Sequence, residues 1–70
     1  MNKSYIIEVV NPVTGAYVLS KTNNVAQRIR RLKENIASIN GNGTAVFERF
    51  KPFIGVDPEA AVYNVYKQIS

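Results

Sequence analysis

Ser4-Tyr5-Ile6-Ile7-Glu8-Val9-Val10, then Asn11-Pro12-Val13-Thr14-Gly15, then Ala16-Tyr17-Val18-Leu19-Ser20 is the stretch whose reading decides the fold. Residues 4–10 are rich in β-branched and aromatic side chains and too short for a stable helix, which predicts a strand. Residues 11–15 form a dense turn signal. Residues 16–20 read as a second strand. The connection is too short for a crossover, so the two strands pair as an antiparallel hairpin.

Working outward, Lys21-Thr22-Asn23-Asn24 breaks the strand pattern, and Asn23 or Asn24 is suited to cap a helix. Val25, Ile29, Leu32 and Ile36 then recur at helical spacing, predicting a helix that runs to about Ser38. Asn40-Gly41-Asn42-Gly43 ends it with glycines able to take positive φ. Thr44 to Lys51 reads as a third strand closed by Pro52. Asp57 is a natural cap, Pro58 fits a first helical position, and Glu59 suits a first turn. Val62, Val65, Tyr66 and Ile69 then read as the apolar stripe of a second helix. The expected architecture is α+β: a small antiparallel three-stranded sheet with two helices in the order ββαβα.

The 70 residues are expected to form one domain, 1–70, with no internal repeat, low-complexity tract or linker. Hydrophobic residues make up 46% and charged residues 20%, a globular composition. There is no cysteine and no histidine, which excludes disulfides, nitrogen–sulfur zinc sites and histidine-based acid–base chemistry. Only Glu8, Glu34, Glu48, Asp57 and Glu59 offer carboxylates, and no metal or cofactor is expected. No apolar run approaches the roughly 20 residues that span a bilayer. The apolar run near the N-terminus is interrupted by Glu8 and broken by Asn11-Pro12. The expectation is therefore a cytoplasmic chain without a membrane partner. The formal net charge of +4 favours polyanions or acidic protein surfaces.

Several motifs resemble the GIY-YIG nuclease domain. Asn11-Pro12-Val13-Thr14-Gly15 is similar to that family's Asn-x-x-Thr-Gly turn, and Lys21-Thr22 fits the residues after its second strand. Asn24-Val25 matches its Asn-Leu and Arg28-Ile29 its Arg-Leu, with no gap from Gly15 through Thr22 to Arg28. The resemblance runs from about Tyr5 to Leu32. It implies a nuclease-derived domain, yet the catalytic residues depart from the family's pattern. Gly-Ile-Tyr becomes Tyr5-Ile6-Ile7, and Tyr-Ile-Gly becomes Val18-Leu19-Ser20, so aliphatic side chains stand at both tyrosine positions. Tyr5 is displaced by two residues. Tyr17 is displaced by one, which turns it to the opposite strand face. Val62 and Tyr63 occupy the region of the expected metal-binding glutamate. Of the usual catalytic set only Arg28 remains, and an arginine supplies neither a proton acceptor nor a cation site. The expectation is loss of nuclease activity.

Arg28, Arg31 and Asn35 fall on one flank of the predicted helix, and Arg30 and Lys33 on the other. Arg28 and Arg31, helped by Lys21 and Arg49, are the candidate phosphate contacts. The ordinary alternative is a solvated helix surface. Phe47 and Phe50 read as core anchors, with Arg49 and Lys51 guarding a sheet edge. Tyr66 reads as core and Tyr63 as a partly buried boundary residue. The leading expectation is a non-catalytic module that binds nucleic acid, DNA or RNA. The second is a small accessory factor that binds an acidic host protein, such as a phage-type inhibitor of a host nuclease or defence protein, with homodimerisation possible. The third is a residual metal-dependent nuclease using Tyr5, Arg28 and Glu59.

Overall fold

The computed structural model describes residues 4–42 and 48–68. The predicted hairpin is present: β1 (Ser4–Val10) pairs antiparallel with β2 (Tyr17–Thr22), Tyr5 opposite Thr22 and Val10 opposite Tyr17. Asn11 organises the turn between them. Its side-chain oxygen accepts from the backbone N–H of Val13 at 2.9 Å and of Thr14 at 3.3 Å. Its own backbone N–H donates to the Ala16 carbonyl, and its carbonyl accepts from Gly15 N–H, both at 2.8 Å. Gly15 closes the turn at φ 81°, a conformation that disfavours any residue with a Cβ.

α1 (Val25–Ala37) follows, capped by Asn24, whose side-chain oxygen accepts from Gln27 N–H at 3.2 Å. The predicted stripe faces the sheet. Leu32 and Ile36 are buried, Val25 and Ile29 partly so, and they pack on Ile7, Val9 and Val18. Gly41, at φ 95°, turns the chain out of the helix end.

Two sequence expectations are overturned. The third strand expected at 44–51 is absent from its described part: residues 48–53 wind as a 3₁₀ turn, Glu48–Phe53 (residues 44–47 lie outside the described residues). A 3₁₀ turn repeats every three residues. That period places Phe50 and Phe53 together in the core, 6.0 Å between ring centroids, and pairs Glu48 with Lys51 at 3.0 Å. Pro52 fits here because a short 3₁₀ turn asks less of the missing N–H than a strand ladder does.

The second helix expected from Asp57 onward is also absent. Asp57 does start a turn, accepting from Ala60 and Ala61 N–H groups, but the chain then extends as β3, Val62–Gln68. β3 pairs antiparallel with the far edge of β1, giving the sheet order β2-β1-β3. The hairpin satisfies only one edge of β1, and the open edge needs a hydrogen-bond partner. Valines and tyrosines at 62–66 suit a pleated surface. The helical spacing of Val62, Val65 and Tyr66 is overridden. Tyr66, read as core, is 53% exposed on the outer sheet face. The α+β class and the three-stranded antiparallel sheet stand, but the third strand comes last and α1 is the one regular α-helix among the described residues.

Two asparagines fasten the 3₁₀ turn to the rest. The Asn11 amide donates to the Pro52 carbonyl at 2.7 Å. The Asn40 amide donates to the carbonyls of Ile36 (2.8 Å), Phe53 (3.2 Å) and Val56 (3.1 Å), while its oxygen accepts from Gly55 N–H at 2.6 Å. Asn40→Asp keeps the shape but sets an oxygen against carbonyl oxygens. It is expected to cost about 0.5–1.5 kcal/mol, as much as Asn40→Ala, because half-buried carbonyls lose their donor. Urea unfolding of both variants checks this; an unchanged Asn40→Asp midpoint would contradict the clasp.

Candidate nucleic-acid interface

α1 exists because its apolar stripe covers the sheet, so its other residues are left at the surface. Arg28 is half-buried at the flank, and Arg30 and Arg31 are exposed. The opposite flank is engaged with β3 and the turn before it: Lys33 Nζ lies 3.1 Å from Glu59 Oε1 and 5.7 Å from the centre of the Tyr63 ring. The flank holding Arg28 and Arg31 has no such partner. Among the described residues, neither guanidinium has an ion-pair or hydrogen-bond partner.

The four candidate cations do not form one cluster of contacts. Arg28 and Arg31 share a helix flank, one turn apart. Lys21 alternates with buried Ser20 and lies opposite Ile6, so it projects from the sheet face away from α1. Arg49 lies in the 3₁₀ turn and stacks its guanidinium 5.3 Å over the Phe50 ring. The expected basic strand with interleaved aromatics is therefore absent at 48–51; Lys51 is paired with Glu48 instead. Sequence reading overlooked Lys67, which β3 places opposite Tyr5. The sequence offered no clear signal for it, because Val62-Tyr63-Asn64-Val65-Tyr66-Lys67 repeats every three residues rather than alternating.

The positions that carry tyrosine in the GIY-YIG pattern are core positions here: Ile7 is fully buried and Val18 nearly so, both facing α1. Tyr17 faces away, as the one-residue displacement requires. Glu59, the carboxylate of the residual-nuclease reading, is held by Lys33 on the flank opposite Arg28. Among the described residues no three carboxylates gather to hold a metal, no cavity is enclosed, and no helix is long and apolar enough to cross a membrane.

Tyr63 is half-buried, as expected for a boundary residue, though on a strand. Its hydroxyl donates to the Pro58 carbonyl at 2.7 Å. Burial first, then the nearby charges of Glu59 and Asp57, push its pKa up to about 12. In the unfolded chain a tyrosine titrates near pH 10. Protonated Tyr63 therefore contributes stability that is complete below about pH 10 and is lost as pH rises toward 12. An absorbance titration of the phenolates should show one tyrosine ionising near pH 12, and Tyr63→Phe should remove that step. Persistence of the step in the variant would assign it elsewhere. No family model, no curated protein and no solved structure matches the chain.

Proposed function

We propose that the chain is a non-catalytic nucleic-acid-binding module, related in pattern to the GIY-YIG domain, that contacts phosphates through Arg28 and Arg31. The observation that supports this reading is how the acids are used. Glu8 accepts from Asn64 and Tyr66 on the outer sheet face, Glu48 pairs with Lys51, and Glu59 pairs with Lys33. Arg28 and Arg31 keep their charge uncompensated by any ion pair among the described residues. Guanidinium forks match phosphate oxygens in shape and charge. Lys21 and Arg49, placed apart from that flank, add to the long-range attraction more than to the contact itself.

Binding of a fluorescent 20-nucleotide single strand, and of the matching duplex, is measured by anisotropy between 20 and 200 mM salt. Two phosphate contacts predict a log–log slope of about −1.4 for the single strand and about −1.8 for the duplex. Arg28→Ala/Arg31→Ala is expected to weaken binding at least about tenfold at the lowest salt. Lys51→Ala, which removes a cation already paired, should change it little. No binding at 20 mM salt, or equal losses in both variants, would refute the assignment.

A second reading, a protein-binding accessory factor, is favoured by the apolar side chains exposed on the outer sheet face. A complex held by apolar burial would survive salt that abolishes phosphate contacts.

A further inference from the structure

The sheet face turned away from α1 has an acid at its centre. Glu8 sits on the middle strand, opposite Leu19 of β2, while Lys21 of β2 lies opposite Ile6. Tyr17, Leu19 and Tyr66 on this face are 58%, 52% and 53% exposed. Glu8 Oε1 accepts from the Asn64 amide and the Tyr66 hydroxyl, each at 3.2 Å. Glu8 Oε2 takes no hydrogen bond among the described residues, and Lys21 has no anionic partner among them. Glu8 and Lys21 balance each other in charge, so this face lacks the uncompensated cations of the α1 flank. It combines an unpaired cation, a half-satisfied anion and exposed apolar groups, which together make a self-complementary set.

We propose that a second copy of this chain docks here face to face, each Glu8 pairing with the partner's Lys21. Ideal sheet spacing puts Glu8 and Lys21, one strand and two residues apart, about 8 Å from each other. A two-fold axis in the plane of the face, midway between them, carries each onto the other's position in the facing copy. Both ion pairs form at once, as an isologous contact requires. Ile6 and Leu19 flank the same midpoint and meet their own counterparts near the axis. The strands of the two sheets then cross at roughly 70°, close to the orthogonal class of sheet packing. Tyrosines half-exposed on the face each offer on the order of 100 Å². Coverage removes roughly 500 Å² from each copy, about 1,000 Å² in the pair, the lower limit for a specific interface. Both α1 helices stay on the outside, with Arg28 and Arg31 accessible.

Sedimentation equilibrium of the full chain at low salt tests the proposal, with circular dichroism confirming that each variant is folded. The wild type is expected to dimerise in the micromolar range. Lys21→Glu sets two acids against each other and should weaken the dimer at least about tenfold, as should Glu8→Lys. The exchange Glu8→Lys/Lys21→Glu should restore it to within about threefold of the wild type. Leu19→Arg should abolish it. The Lys21 side chain makes no hydrogen bond among the described residues, so Lys21→Glu and Leu19→Arg decide the matter if Glu8→Lys fails to fold. A wild type that stays monomeric to about 1 mM overturns the proposal. So does a dimer indifferent to Lys21→Glu, which would place the interface elsewhere, such as the outer edge of β3. A folded exchange variant that fails to recover overturns it as well.

Discussion

Strand β1 has two edges and two faces, and each must be satisfied by a different part of the chain. Its N–H and C=O groups cannot be left unpaired where Ile7 and Val9 are fully buried. β2 covers one edge through the adjacent turn, and β3 returns from the far end of the chain to cover the other. One face takes α1 and the 3₁₀ turn. The other face is covered by nothing among the described residues, which is why apolar tyrosine and leucine side chains remain exposed there.

That arrangement divides the surface into two kinds of chemistry. The helix layer presents arginines that form no ion pair among the described residues, with Glu34 as the one acid on α1. The outer sheet face presents apolar groups around one carboxylate, Glu8, and one cation, Lys21. The proposed polyanion contact uses the first, and the proposed docking of a second copy uses the second. The functional readings are compatible because they use opposite sides of the sheet, which lies between them.

Asn11 and Asn40 tie these layers together. Both are side chains that sequence reading assigns to turns, and both do shape turns. Their second role is long-range: each reaches the 3₁₀ turn, Asn11 across 41 residues of sequence and Asn40 across 13. An amide donates and accepts at once, so one residue satisfies the carbonyls and N–H groups that a short irregular segment leaves open. Phe50 and Phe53 are thereby held in the core without a regular element to carry them.

Residues 4–38 were legible locally. The hairpin follows from strand propensity and a turn whose residues are adjacent, and α1 from its apolar period and its asparagine cap, so neither needed knowledge of the rest. The placement of Arg28 and Arg31 on a shared flank followed from the same period. Residues 48–68 were not legible in this way. Phe50 and Phe53 fit a strand or a 3₁₀ turn until the core position is known, and Val62, Val65 and Tyr66 satisfy a helical stripe as well as a strand. The deciding quantity was the unpaired edge of β1, a property of the assembled sheet rather than of any window of sequence. The same holds for the pairing of Lys33 with Glu59 and for the separation of Lys21 from the helix arginines. Sequence alone determined local form wherever the competing conformations differ within a few residues; where they do not, the hydrogen-bonding demand of a distant strand chose between them.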